Sequence, residues 1–135
     1  AKLERYEWET QQRDRIAHRY NQAFAEIKLK DFTAPNTLKH NFNVWAQYTL
    51  TVGNREEFQK KLTEKGVPTS IHYPRIMPDQ PWYKEQLKHA PSIQSKLDWK
   101  HSRWAADHVI SLPMYPDMDE VTQNKIIEAV FNALK

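Results

Sequence analysis

Only two residues of this chain are glycine, Gly53 and Gly66, and both stand where the backbone has to change direction. Glycine enters left-handed backbone without steric cost, so a chain this poor in it has few sites for tight loops. Gly53-Asn54 separates an alternating apolar run from a helical one, and Gly66 closes that helix as a left-handed cap. With both spent on turns, none remains for a P-loop or a dinucleotide fingerprint, which need glycine to let backbone approach phosphates. The other breaks fall to eight prolines, which stop regular structure by removing a donor and fixing φ.

Between these breaks the periodicity is readable. Residues 3 to about 27 contain neither Gly nor Pro. Ile16, Tyr20, Phe24 and Ile27 recur at helical spacing behind Leu3, Tyr6 and Trp8, which predicts one long helix. Residues 28–43, with Pro35-Asn36, read as an irregular connection. Val44 to Val52 alternates with period two. It predicts a strand with Ala46, Tyr48, Leu50 and Val52 toward the core and Trp45, Gln47, Thr49 and Thr51 away from it. Asn54 and Glu57 form a capping box for a helix over 55–65, with Phe58 and Leu62 on one face.

A short strand is expected from Thr69 to Tyr73. Pro74, Pro78 and Pro81 then punctuate a rigid loop, and a short helix begins near Trp82. A further helix is expected over about 92–107, with Ile93, Leu97 and Trp104 inward. Val109 to Leu112 reads as a strand ended by Pro113 and Pro116. The last helix runs from about Asp119 to Leu134, with Ile126, Ile127, Val130, Phe131 and Leu134 as its apolar stripe. Asp119 and Asp117 are both eligible caps. The order helix, strand, helix, strand, helix, strand, helix describes one α/β domain, a small sheet of about three strands covered by helices.

Composition closes off several classes. The absence of cysteine excludes disulfides and thiolate metal sites and fits a cytoplasmic protein. No apolar run nears the roughly 20 residues that span a bilayer, so no membrane is implied as partner. Ala1-Lys2-Leu3-Glu4-Arg5 has no signal-peptide pattern and no initiator Met, which suggests a piece cut from a longer chain. The net charge of +3 is a small surplus. Lys60, Lys61 and Lys65 read as a solvated helix face and not as a nucleic-acid patch. His101, Asp107 and His108 make a weak case for a metal, and no Gly-flanked serine nucleophile exists.

The most informative point is His72-Tyr73-Pro74, at the end of a predicted strand where the proline-rich loop begins. Loop residues held at such ends face clefts more often than average. The tyrosine offers a hydroxyl, the histidine a donor or a charge beside an anion, and Arg75 a fork for a carboxylate or phosphate. The plainer alternative is that His72 bonds a backbone carbonyl, Tyr73 packs, and Arg75 is an ordinary surface arginine. Residue chemistry alone stops at a domain with a possible anion site.

The stretch Gly66-Val67-Pro68-Thr69-Ser70-Ile71-His72-Tyr73-Pro74 resembles the pattern Gly-Ile-Pro-Thr, two residues, His-Tyr-Pro of the DegT/DnrJ/EryC1/StrS sugar aminotransferases. Ser111-Leu112-Pro113-Met114-Tyr115-Pro116, Asn54-Arg55-Glu56-Glu57, Gln80-Pro81, and Arg15-Ile16-Ala17 with Tyr20 are similar to further family segments, in order and at fitting distances. The resemblance implies the C-terminal small domain of a fold-type I enzyme, with residues 1–27 as connecting helix and 28–135 as the α/β body. It implies a homodimeric parent whose large domain carries the lysine that forms a Schiff base with pyridoxal phosphate. That large domain is missing here, so this chain should bind no cofactor and supply no catalytic residue. The implied parent transfers an amino group, from glutamate, to a keto-sugar nucleotide for cell-surface polysaccharide. Asn43-Val44-Trp45-Ala46-Gln47-Tyr48-Thr49 looks most like the subgroup acting on UDP-N-acetyl-3-keto-hexosuronic acids. His72, Tyr73 and Arg75 are then the expected substrate-binding residues. One departure stands out: many members carry a second His four residues after the Pro of the motif, where this chain has Pro78. The competing class is a free-standing interaction module working through exposed aromatics.

Overall fold

A computed structural model describes residues 2–89 and 98–135. The first helix, α1, runs Lys2–Phe24. Its second half buries Ile16, Ala17, Tyr20 and Phe24, as their spacing demands. Its first turns do not: Leu3, Tyr6 and Trp8 lie on the surface. The short strand β1, Phe32–Thr33, sits inside what the sequence presents as an irregular connection. Strand β2 is Tyr48–Val52, helix α2 is Arg55–Glu64, and a 3₁₀ turn spans Met77–Asp79. Helix α3 follows at Pro81–Lys88, helix α4 at Lys100–His108, strand β3 at Val109–Leu112 and helix α5 at Glu120–Ala133.

The strands form one antiparallel sheet in the order β1-β2-β3. Phe32 faces Val52, and Tyr48, Thr49, Leu50 and Thr51 face Leu112, Ser111, Ile110 and Val109. This is the α/β fold with a three-stranded sheet that the sequence predicts. Because side chains alternate along a strand, Tyr48, Leu50 and Val52 share one face with Ile110 and Leu112. That face carries the core, closed by Ile16, Tyr20 and Phe24 of α1, Phe58 and Leu62 of α2, and Ile126, Ala129 and Val130 of α5. Tyr20 lies against both Phe24 and Tyr48, with ring centroids 5.8 and 4.8 Å apart. Both phenols are titrated well above the ordinary tyrosine range, chiefly because burial disfavours the phenolate. Their hydroxyls are not orphaned: Tyr48 donates to Asn21 Oδ1 at 2.7 Å and Tyr20 to the Pro113 carbonyl at 3.0 Å.

The helix-end signals are obeyed. Asn54 Oδ1 accepts from the Glu57 amide at 3.2 Å, the expected N-cap bond, while Glu57 answers through the Asn54 side chain, whose Nδ2 donates to its carboxylate at 2.9 Å. Gly66 has φ +73°, the left-handed conformation expected of it. A Cβ on Gly53 would meet Asp31 Cβ at 2.8 Å, so this turn needs glycine for close approach. Asp119 caps α5 by accepting from the Thr122 amide at 2.7 Å, whereas Asp117 pairs with Arg5.

Several expectations need correction. The strand predicted from Val44 begins only at Tyr48, because Trp45 takes a left-handed φ of 50° and breaks the alternation. Trp45 is therefore buried, not outward, and Ala46 is exposed, not inward. The indole is held by donating to Asp14 Oδ1 at 3.1 Å, and its carbonyl accepts from Arg13. The strand expected from Thr69 to Tyr73 contracts to a single antiparallel bridge between Ser70 and Ser111. Trp104 points out of α4, about half exposed, and stacks on His108 at 4.6 Å; Ile93 and Leu97 lie outside the described residues. In α5, Phe131 stays partly exposed at the rim, edge-on to Phe24. Among the described residues no helix is long and apolar enough to cross a membrane.

Candidate functional site

The face of the sheet opposite the core carries Thr49, Thr51 and Ser111. Ser111 is buried. Its amide donates to the Ser70 carbonyl at 2.7 Å, and its carbonyl accepts from the Ser70 amide at 3.2 Å. Those backbone groups are thus turned away from β2. Thr49 and Ser111 are consequently a pair without mutual ladder bonds, the kind in which side chains come closest. Their hydroxyls meet at 2.9 Å. His72, in the bend two residues beyond Ser70, brings Nδ1 to within 3.2 Å of Ser111 Oγ.

His72 lies between two adjoining hollows. The smaller, about 350 Å³, is lined by Gln47, Ser70, His72, Ser111 and Met114 among others. The larger, about 440 Å³, is lined by His72, Tyr73, Arg75, Met77, Trp99 and Ser102 among others. The three residues named from the sequence therefore stand around one hollow. Tyr73 is mostly exposed, its ring edge-on to His72 at 5.7 Å, and the peptide bond between them is cis. Arg75 is exposed. The loop below them is anchored rather than free. Pro78 is buried, and Asp79 forms ion pairs with Arg103 of α4 and with Lys84 of α3, the latter at 3.7 Å.

Sequence reasoning missed Thr49 and Ser111 as part of this arrangement. Ser111 was visible only as the first residue of a Ser-Leu-Pro segment, and Thr49 only as an outward position of a strand. A still larger hollow, about 630 Å³, opens at the other end of β2, lined by residues such as Lys30, Asp31, Gly53, Glu57 and Lys61. It mixes both charge signs and includes none of His72, Tyr73 and Arg75.

Residues 1–131 match the DegT/DnrJ/EryC1/StrS aminotransferase family. The UDP-2-acetamido-2-deoxy-3-oxo-D-glucuronate aminotransferase of Pseudomonas aeruginosa is 33% identical over 131 residues, which are 97% of this chain and 33% of that protein. A DegT DnrJ EryC1 StrS aminotransferase from Brucella abortus is similar in structure, with a TM-score of 0.75 and 28% identity over 97% of this chain and 32% of that one. S. venezuelae DesV, solved in complex with a ketimine intermediate, matches 98% of this chain and 34% of its own with a TM-score of 0.81 at 23% identity. The chain thus spans about a third of the length of the relatives it matches.

Pyridoxal phosphate, the cofactor of such enzymes, needs a lysine amine for its aldehyde and donors for its phosphate. Among the described residues no lysine and neither glycine lines the hollow at His72. Lys84 and Lys88 are exposed and paired with Asp79 and Glu85. These residues by themselves do not fit the cofactor.

Proposed function

Because this chain belongs to the DegT/DnrJ/EryC1/StrS aminotransferase family, we propose that it is the C-terminal small domain of a pyridoxal-phosphate-dependent enzyme that aminates a keto-sugar nucleotide. The substrate supported best is a UDP-N-acetyl-3-keto-hexosuronic acid, with glutamate as amino donor and cytoplasmic synthesis of cell-surface polysaccharide as setting. The relative at 33% identity is named for a substrate of that class. The observation that carries the reading is the gathering of His72, Tyr73 and Arg75 around one hollow. Imidazole, phenol and guanidinium are all donors, and a sugar carboxylate drawn out of water has to be met by donors or positive charge. The cofactor lysine and the rest of the pocket belong to the large domain and to the second subunit of a homodimer. On this reading the chain by itself does not transaminate.

The test uses the full-length parent. His72→Ala and Tyr73→Phe are expected to lower kcat/KM on the uronic acid by about ten- to a hundredfold, the cost of one hydrogen bond to a charged group. The matching neutral keto-sugar should be far less affected. Equal losses on both would show that these residues do not read the carboxylate, and no loss on either would remove them from the site. Adding pyridoxal phosphate to the 135-residue chain should yield no stoichiometric absorbance band that a single lysine replacement abolishes. Such a band would assign the cofactor lysine to this domain.

A further inference from the structure

We propose that Ser111, backed by Thr49, is a positioning residue that holds the His72 imidazole with Nδ1 turned into the sheet and Nε2 free to face a ligand. Three observations carry this. Ser111 is buried in the strand while its backbone is fully engaged with Ser70, so its hydroxyl is the one group it has left to offer. That hydroxyl lies within hydrogen-bond reach of Thr49 Oγ1 at 2.9 Å and of His72 Nδ1 at 3.2 Å. His72 borders both hollows, and its Nε2 has no partner among the described residues.

The chemistry of two hydroxyls in series explains why a pair is used. When His72 is neutral with its proton on Nε2, Thr49 donates to Ser111 and Ser111 donates to Nδ1. When His72 is protonated, Nδ1–H donates to Ser111 Oγ and Ser111 turns its own proton to Thr49 Oγ1. A hydroxyl both donates and accepts, so the chain can reverse direction without moving a heavy atom. Nδ1 therefore stays bonded to Ser111 in either charge state, and Nε2 is the ring nitrogen left for a ligand. Fixing one ring nitrogen to set the role of the other is how supporting groups tune histidines in general.

That His72 meets substrate rests on the function proposed above; its orientation by Ser111 does not, and the two are tested apart. Nitrogen-15 NMR of the histidine-labelled 135-residue chain reads the orientation without substrate. Ser111→Ala is expected to move the Nδ1 resonance of His72 and to leave that of His18, remote from the pair, in place. Ser111→Thr, which keeps a hydroxyl, should restore the wild-type signal in large part, and Thr49→Val should produce a smaller displacement of the same sign. If Ser111→Ala unfolds the chain, Thr49→Val and Ser111→Thr still decide the matter. An Nδ1 signal indifferent to every hydroxyl removed overturns the proposal.

Kinetics of the full-length parent then read the consequence. Ser111→Ala should cost about tenfold in kcat/KM, the scale of one hydrogen bond lost. It should cost nothing further once His72 is already alanine, because it acts through that ring. Equal losses in both backgrounds overturn the proposal. A silent His72→Ala beside a displaced Nδ1 signal would sink the substrate reading and leave the positioning intact.

Discussion

On one face of the β2–β3 pair lie Tyr48, Leu50, Ile110 and Leu112, all shut from water; on the other lie Thr49, Thr51 and Ser111, with the His72 imidazole against them. The two sets come from the same nine residues of chain, offset by one position. The first is held by area removed from water, which is non-directional and forgiving of detail. The second is held by hydroxyl groups with directions, and it holds a ring in place. The difference teaches that one short antiparallel pairing serves stability on one side and orientation on the other, with alternation alone keeping the two apart.

The comparison is broken most violently from the apolar side. Leu50→Ala is expected to lower unfolding free energy by about 2–5 kcal/mol, the range for a fully buried leucine, as read by urea denaturation. A loss below 1 kcal/mol would mean that this face is not the core. Alkaline pH attacks the same side through Tyr20 and Tyr48. Their folded pKa values are raised, so their contribution is complete below the unfolded tyrosine value near 10 and is lost as pH rises beyond it. Stability should fall by about 1.4 kcal/mol per pH unit for each tyrosine above that point. Replacing either by Phe should flatten the slope, and an unchanged slope would show that these phenols ionise freely in the folded state.

Smaller effects sharpen the contrast. Asn54→Ala removes the cap of α2, which carries Phe58 and Leu62 to the apolar face, and should cost about 1 kcal/mol in thermal unfolding. Asn54→Gly should cost only a few tenths. Thr49→Val keeps shape and removes a single hydroxyl from the polar face, so its cost should stay below about 1 kcal/mol. A loss as large as that of Leu50→Ala would erase the distinction between the faces.

What was readable in the sequence was local. Asn54, Glu57 and Gly66 act within a few residues of themselves, and α2 lies where they put it. Val109–Leu112 was bounded by its own proline and apolar run. What was unreadable depended on partners far along the chain. Trp45 follows the period of a strand, but its backbone is left-handed and its indole is bonded to Asp14 of α1, thirty-one positions earlier. Phe32–Thr33 is a strand only because Val52 and Thr51 lie beside it. The site was half legible in the same way. His72, Tyr73 and Arg75 are neighbours and were named together, whereas Thr49 and Ser111 join them through register, which no single segment reveals.

The arginines of α1 reach the far end of the chain. Arg15 donates to the Met118 carbonyl, Arg19 to Asn124 Oδ1 at 2.7 Å, and the buried Gln123 donates back to the Ile16 carbonyl at 2.8 Å. Each of these bonds joins residues more than a hundred positions apart. Contacts that distant form only after the intervening chain has been brought together, and such closure slows folding. During synthesis, when chains emerge at about 5–20 residues per second, α1 must wait several seconds for its partners to leave the ribosome. For that interval Ile16, Tyr20 and Phe24 have no α5 to cover them, and the nascent domain depends on whatever else can shield that stripe.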